Sequence, residues 1–155
     1  MNKNTDDDKT IAVNRKAFHD YHILERMEAG LVLKGTEIKS VRAGQVNIRE
    51  AFAKPKDGEL WLYNAHIAPY HAGNIFNHDP IRPRKLLLHR DQIEDLAVSV
   101  NRRGYTIVPL RLYIKHHVAK VELALAQGKR EYDKRRAIID RDKDREAQRA
   151  LRRAE

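Results

Sequence analysis

The strongest constraint on the fold is a four-residue step, Lys56-Asp57-Gly58-Glu59, set between two runs of β-forming residues, Val46 to Lys54 and Leu60 to Ala68. Asp-Gly accepts the left-handed backbone that a tight hairpin turn requires, so the two runs are predicted to fold back on each other. In the second run Trp61 and Tyr63 share one face, and Leu60 and Leu62 the other, which predicts a strand covered on both sides. Tyr105 to Lys115 and Val118 to Ala126 read as two more strands around His116-His117, with Val121, Leu123 and Leu125 on one face. Pro109 has no N–H to give to a ladder and predicts an edge or a bulge. Upstream, Thr10 to Val13 is a short extended piece and Asn14-Arg15-Lys16 a basic turn. Tyr21 to Leu33 is one long strand, bent by a bulge near Gly30.

Two short helices interrupt the strands. In Gly35 to Gly44, Thr36 is the expected cap, Ile38 and Val41 share a face, and Gly44 is the left-handed stop. The second opens at Asp91, with Glu94 three residues on. It carries the stripe Ile93, Leu96, Ala97 and Val100, and stops at Arg102-Arg103-Gly104. Residues 69–84 are rich in Pro, Gly, Asn and Asp and read as a long loop. Five or six strands without βαβ alternation predict a mainly β chain, an OB-type small β-barrel with short flanking helices; a sandwich is the alternative. The expected domains are a disordered N-terminus at 1–9, the barrel at 10–127 and a basic C-terminal tail at 128–155.

The tail has 11 Lys/Arg against 7 Asp/Glu from Lys129 onward, with Ile138, Ile139 and Leu151 its only large aliphatics. It cannot bury enough apolar surface to offset its ordering entropy alone. It also lacks proline and is rich in helix formers, so it is expected to be disordered when free and helical when bound to a polyanion. Tyr132, its only aromatic, lies among cations, a setting suited to stacking on an unpaired base.

A net charge of +9 favours an anionic partner, nucleic acid first and an acidic membrane surface second. The absence of cysteine excludes disulfide scaffolding, thiol catalysis and Cys-based zinc sites. The eight histidines lack a ligand pattern such as H-E-x-x-H, and no phosphate-cradling glycine motif or nucleophile elbow appears. No metal, cofactor or enzymatic activity is expected. The polar start, with Asp6-Asp7-Asp8, is not a signal peptide, and no apolar run approaches a membrane span, so a soluble intracellular protein is expected. Cations instead recur along the domain: Arg15 and Lys16, Lys39 with Arg42, Arg82-Pro83-Arg84-Lys85, Arg102-Arg103, Lys115 and Lys120. Tyr21, Tyr70, Tyr105 and Tyr113 fall between them. Together they predict an extended phosphate-contacting surface that reads the shape of a folded RNA.

Five stretches in this order carry a family resemblance: Asn14-Arg15-Lys16-Ala17, Glu28-Ala29-Gly30-Leu31, Gly35 to Gly44, Arg84-Lys85-Leu86-Leu87-Leu88 and Gly128-Lys129-Arg130-Glu131-Tyr132-Asp133-Lys134-Arg135. The chain resembles the SmpB family, the SsrA-binding proteins of bacterial trans-translation, over about residues 10–145. The resemblance implies an OB-type barrel that binds the tRNA-like domain of transfer-messenger RNA and accompanies it to stalled ribosomes. It also implies a tail that becomes helical in the empty mRNA channel beyond the small-subunit decoding centre. Elongation factor Tu and alanyl-tRNA synthetase are implied as indirect partners through the RNA, and a cytoplasmic monomer is expected. By position, Glu28, Asn14, Leu87 and Lys120 match the family's RNA interface, joined by Arg15, Lys16, Lys39, Arg42, Arg84 and Lys85 from the cation clusters. Gly128, Lys129, Asp133, Lys134 and Arg135 match its tail motif, in which Tyr132 stands where an aromatic or His is usual and Arg130 where Lys is common. The alternative is a ribosomal or ribosome-assembly OB-fold protein.

Overall fold

A computed structural model describes residues 9–70, 77–129 and 131–154. In chain order the elements are β1 (Lys9–Val13), α1 (Arg15–Asp20), β2 (Tyr21–Leu31), α2 (Gly35–Arg42), β3 (Val46–Asn47), β4 (Phe52–Lys56) and β5 (Glu59–Tyr63). There follow β6 (His66–Ile67), β7 (Arg84–Leu87), α3 (Arg90–Arg103), β8 (Thr106–Lys115), β9 (Val118–Gly128) and α4 (Glu131–Ala154). The main sheet runs β1-β8-β4-β5-β7-β2-β9, and β9 returns to pair with β8. Six strands thus close into an antiparallel barrel, with β1 added on β8. Closure removes the open edges at which a sheet would recruit another chain. The chain is mainly β, as expected, but the described strands number nine rather than five or six. The extra ones, β3, β6 and β7, are two to four residues long, too short for a period-two pattern to register. Residues 1–8 lie outside the described set, and Lys9 already belongs to β1 rather than to a disordered end.

Leu60, Leu62, Ile67, Leu86, Ile107, Leu112, Val121 and Leu123 fill the barrel, each essentially inaccessible. Burial of such a side chain contributes roughly 1.5–3 kcal/mol, so these eight residues dominate the fold's stability. Leu60 and Leu62 are the inward face of β5; Trp61 and Tyr63, on the other face, are half-buried, with Tyr63 stacked on Phe52 at 5.5 Å between centroids.

The turns follow the chemistry of their residues. Asp57 and Gly58 both have positive φ, 54° and 76°, the type I′ geometry expected between β4 and β5. His116 and His117 adopt the same geometry, with φ of 50° and 66°. They are therefore the turn between β8 and β9. Pro109 sits at a β8 bulge as expected. The bulge in β2 lies between Ile23 and Glu25, however, not at Gly30. Gly30 instead pairs with both Lys120 of β9 and Leu87 of β7, and an added Cβ would meet that of Leu87 at 3.3 Å. Small size, rather than a bulge, is required where β2 passes from one neighbour to the other.

The starts of α2 and α3 both shift upstream of the sequence expectation. The N–H of Lys34, not Thr36, opens α2 by donating to Glu37 Oε1 at 2.8 Å, and the Thr36 hydroxyl instead joins His78 Nδ1 at 2.9 Å. For α3 the box is His89 with Gln92, at 3.2 Å, and Asp91 lies in the first turn, where its charge suits the positive pole. Arg15–Asp20 forms a helix where a basic turn was expected, because Asn14 caps it: its Oδ1 accepts from the N–H of Ala17 at 3.2 Å. Ala17 then packs against Val108, Leu110, Ala124 and Ala126, a second small core outside the barrel.

One charged group is built into the interior. Glu37 and Arg84 are both fully buried and joined at 2.5 Å, and Arg82 bonds the second Glu37 oxygen. Arg84 also donates to the carbonyls of Ala65 at 2.6 Å and Pro80 at 3.1 Å. Burial opposes the charge on Glu37, but hydrogen bonds from Arg82, the Lys34 N–H and Arg84 outweigh it and hold the carboxyl below its ordinary range. This network ties α2 to β7 and to the last part of the 69–84 loop, through Arg82 and Pro80. That loop ends at Pro83, one residue earlier than expected, and its residues 71–76 lie outside the described set.

The tail is a helix, α4, and its described side chains, Arg135 and residues 138–152, are all exposed. Its helical form is the one expected of the bound tail; nothing apolar among the described residues anchors that part of it.

Candidate nucleic-acid interface

The register of three strands assembles a charged face on the outside of the barrel. Glu28 of β2 lies opposite Glu122 of β9, which lies opposite Arg111 of β8. In the adjacent row Gly30 lies opposite Lys120 and Lys120 opposite Tyr113. Alternation does this: Met27, Val121, Leu123 and Leu112 point inward, so their neighbours point out. Two glutamates directly opposed would repel. The structure offsets that with cations on either side.

Arg111 donates to Thr10 Oγ1 at 3.0 Å, lies 3.8 Å from Glu122 Oε2 and stacks over the Tyr113 ring at 4.2 Å. Arg26 reaches Glu122 Oε1 at 3.5 Å. The Tyr113 hydroxyl donates to Glu28 Oε2, and Lys115 Nζ lies 3.8 Å from the same oxygen. The Tyr113 hydrogen bond is the main reason that the Glu28 carboxyl sits below its ordinary range; burial opposes it, and Lys115, Lys120 and Arg111 assist. Burial, then the bond to Glu28, pushes the Tyr113 phenol upward. Near neutral pH Glu28 is therefore an anion and Tyr113 a proton donor. Both described bonds to Glu28 use Oε2, so Oε1 is left among the described residues to accept from a partner.

Beside this face runs an open groove lined by Glu28, Gly30, Leu87, Leu88, His89, Gln92 and Lys120. It brings together three of the residues singled out in the sequence: Glu28, Leu87 and Lys120. Leu87 is 52% exposed, an apolar surface between an acid and a base. Gly30 permits the arrangement, because the close approach of β2 to β7 places Leu87 beside Glu28.

The other sequence candidates are dispersed. Lys39 lies 5.4 Å over the Tyr70 ring, and Arg42 is exposed at the end of α2. Lys85 pairs with Glu59 at 2.8 Å. Arg15 and Lys16 are exposed on α1, where Glu50 at 2.6 Å raises the Lys16 pKa. Asn14 and Arg84 are buried and turned inward: Asn14 donates to Pro109 O at 2.9 Å and Ile48 O at 3.3 Å. Their side chains are thus spent on bonds inside the protein, although the resemblance placed Asn14, and the cation pattern Arg84, at the RNA interface. Gly128 is the last residue of β9, opposite Tyr21, and Lys129 is still bonded to α1. Arg130 and the side chains of Tyr132, Asp133 and Lys134 lie outside the described set, while Arg135 is exposed on α4. Sequence reading did not single out Arg111, Glu122 or Arg26, and noted Tyr113 only as an aromatic among cations. Strand register was the missing signal: Tyr113 is 85 positions from Glu28, and Arg26 is 96 from Glu122.

A closed small barrel with a pre-set charged face, an apolar step in a cation-bordered groove and an uncovered basic helix defines a nucleic-acid-binding OB-type protein. Comparison with known proteins makes this specific. The chain belongs to the SmpB family: the family model described as SmpB protein matches residues 11–153. The SsrA-binding protein of Carboxydothermus hydrogenoformans is 58% identical over 145 residues, 94% of this chain and 97% of that protein. The SsrA-binding protein of Bacillus cytotoxicus is 55% identical over 144 residues, 93% of each chain. A solved chain from work on tmRNA–SmpB at the center of the bacterial ribosome matches with a TM-score of 0.66 and 50% identity, covering 82% of this chain and 93% of that one.

Proposed function

We propose that this protein binds the tRNA-like domain of transfer-messenger RNA and delivers it to stalled ribosomes for trans-translation. The observation that carries the reading is the convergence of Glu28, Leu87 and Lys120 in one groove, beside the face built by Tyr113 and Arg111. Lys120, Lys115 and Arg111 supply phosphate attraction. Leu87 packs on a base or ribose, and Glu28 Oε1 accepts from a base edge while Tyr113 and Lys115 hold its other oxygen. Such a carboxylate rejects any partner that offers only phosphate there, which gives selectivity to a surface otherwise attractive to all RNA.

The division of labour is a barrel that holds the RNA and a tail, 128–155, that enters the empty mRNA channel near the small-subunit decoding centre. Within the tail, the cations from Arg130 to Arg135 and the ring of Tyr132 meet rRNA, beyond the root at Gly128 and Lys129. With its described side chains exposed, α4 draws little stability from the barrel. It therefore melts readily when free and is held helical where rRNA phosphates neutralise it. Elongation factor Tu and alanyl-tRNA synthetase act on the bound RNA rather than on this chain. The protein acts by binding and not by catalysis, as a monomer in the cytoplasm; among the described residues no helix is long and apolar enough to cross a membrane.

The test is binding to the isolated tRNA-like domain with ordinary tRNA as competitor at physiological salt. Clear preference for the former supports the proposal. Equal binding overturns it and moves the protein toward a general ribosomal RNA binder.

A further inference from the structure

The root of the tail is bonded to α1 at both ends of a single residue. The Lys129 N–H donates to Asp20 O at 2.8 Å, and its ammonium donates to Phe18 O at 3.2 Å. The last carbonyls of a helix have no donor within it, and they sit at its negative pole. In α1 the N–H of Tyr21 takes Ala17 O, and Lys129 takes Phe18 O and Asp20 O. Phe18 is itself held: Arg26 lies 5.4 Å over its ring and is tied to Glu122. The acceptor for the ammonium is therefore fixed to the charged face of the barrel. Gly128, just before, makes the last ladder pair with Tyr21, and α4 begins at Glu131, just after.

We propose that Lys129 is a positioning residue: its ammonium clasps the C-terminal end of α1 and sets the direction in which the tail leaves the barrel. This rests on the tail-in-channel reading for its purpose, but not for its geometry. It also differs from the simpler view of Lys129 as one more phosphate contact. An ammonium spent on two-point attachment to α1 constrains the exit of the helix, while the cations further along remain for RNA. Free rotation at residue 129 would spread the far end of α4, some 35 Å away at ~1.5 Å per residue, over a wide arc. Entry into a narrow channel would then require a rare orientation, and the apparent rate of tagging would fall with the fraction correctly aimed.

The chain has no cysteine, so spin labels on cysteines introduced at Lys56 and Arg145, both exposed, report the barrel-to-tail distance without interference. At low temperature and in dilute trifluoroethanol, which keep α4 helical without a partner, a narrow distance distribution is expected for the parent. Lys129→Met should broaden it at least twofold in width, and Lys129→Arg, which keeps a donor of similar reach, should restore it. Affinity for the tRNA-like domain and its salt dependence should be unchanged in both variants. An equally narrow distribution in Lys129→Met overturns the proposal, as does a parent distribution already as broad as that variant's. The distance measurement uses no RNA or ribosome, so its failure is separable from failure of the proposed function. Tagging assays on the same variants add the functional side: a several-fold loss in Lys129→Met with recovery in Lys129→Arg is expected, and full activity in Lys129→Met would overturn the link between aim and tagging.

Discussion

The outer face around Glu28 and the helix α4 are both highly charged, and they are organised in opposite ways. On the barrel, Glu28, Tyr113, Arg111, Glu122 and Arg26 are linked to one another on β-strands whose register is set by a buried core. On α4 the described side chains are all exposed, and charges of both signs alternate along a segment with three large aliphatics. A pre-organised face loses little entropy on binding and can reject a wrong partner, which suits recognition of one folded RNA. An uncovered helix gains its order from whatever surface it meets, which suits a probe of an empty channel. On the proposed function, one chain thus separates selectivity from sensing.

The largest expected effect is on that separation itself. Removing residues 130–155, which keeps the Lys129 clasp, should abolish tagging while changing affinity for the tRNA-like domain less than threefold. A large loss of affinity would show that the two regions are not independent. Next in size, Glu37→Gln should destabilise the barrel by about 3–5 kcal/mol in denaturant unfolding, because it leaves the buried Arg84 without its anion. An unchanged midpoint would mean that the network contributes nothing to holding α2 and β7 together.

Tyr113→Phe should weaken binding of the tRNA-like domain about tenfold, ~1.4 kcal/mol, with the fold intact by circular dichroism. Lys120→Ala should cost less in affinity and lower the slope of log K against log salt by about one; an unchanged slope would remove Lys120 from the phosphate contacts. In acid, the sign follows from Glu28 and Glu37, both held below the ordinary carboxylate range. Their contribution is present above that range and is lost as pH falls through their folded values. Stability should therefore decline below about pH 4.5, and less steeply in Glu37→Gln. Smallest of all, Ile138→Ser should leave barrel stability within ~0.5 kcal/mol, since the side chain is exposed on α4.

Much of the barrel was legible because its signals are local. Asp57-Gly58 needs positive φ wherever it sits, Pro109 cannot join a ladder in any context, and Gly104 ends α3 with φ of 67° because only a residue without Cβ adopts that freely. Glu28, Leu87 and Lys120 could be named from resemblance, but nothing in their spacing says that they share a groove. Asn14 and Arg84 show the converse. Both lie in cation-rich stretches that read as RNA contacts, and both are buried because carbonyls of Pro109, Ala65 and Pro80, far away in sequence or hidden in a loop, complete their hydrogen bonds. α1 was missed for the same reason, since its cap and the alanine it buries are polar and small.

What the sequence by itself determined is the inventory: antiparallel hairpins from turn chemistry and period, short helices from their stops, an anionic partner from net charge, and a tail too polar to form a core. These follow from each residue's own backbone freedom, hydration and charge. What only the tertiary structure decided is which charges face each other. Pairing of β9 with both β2 and β8 brought Glu28 to Tyr113 across 85 residues, and its pairing with β2 brought Lys129 to Phe18 across 111. Those pairings depend on strand register, and register is chosen by the buried leucines on the other face, not by the charged residues that it aligns.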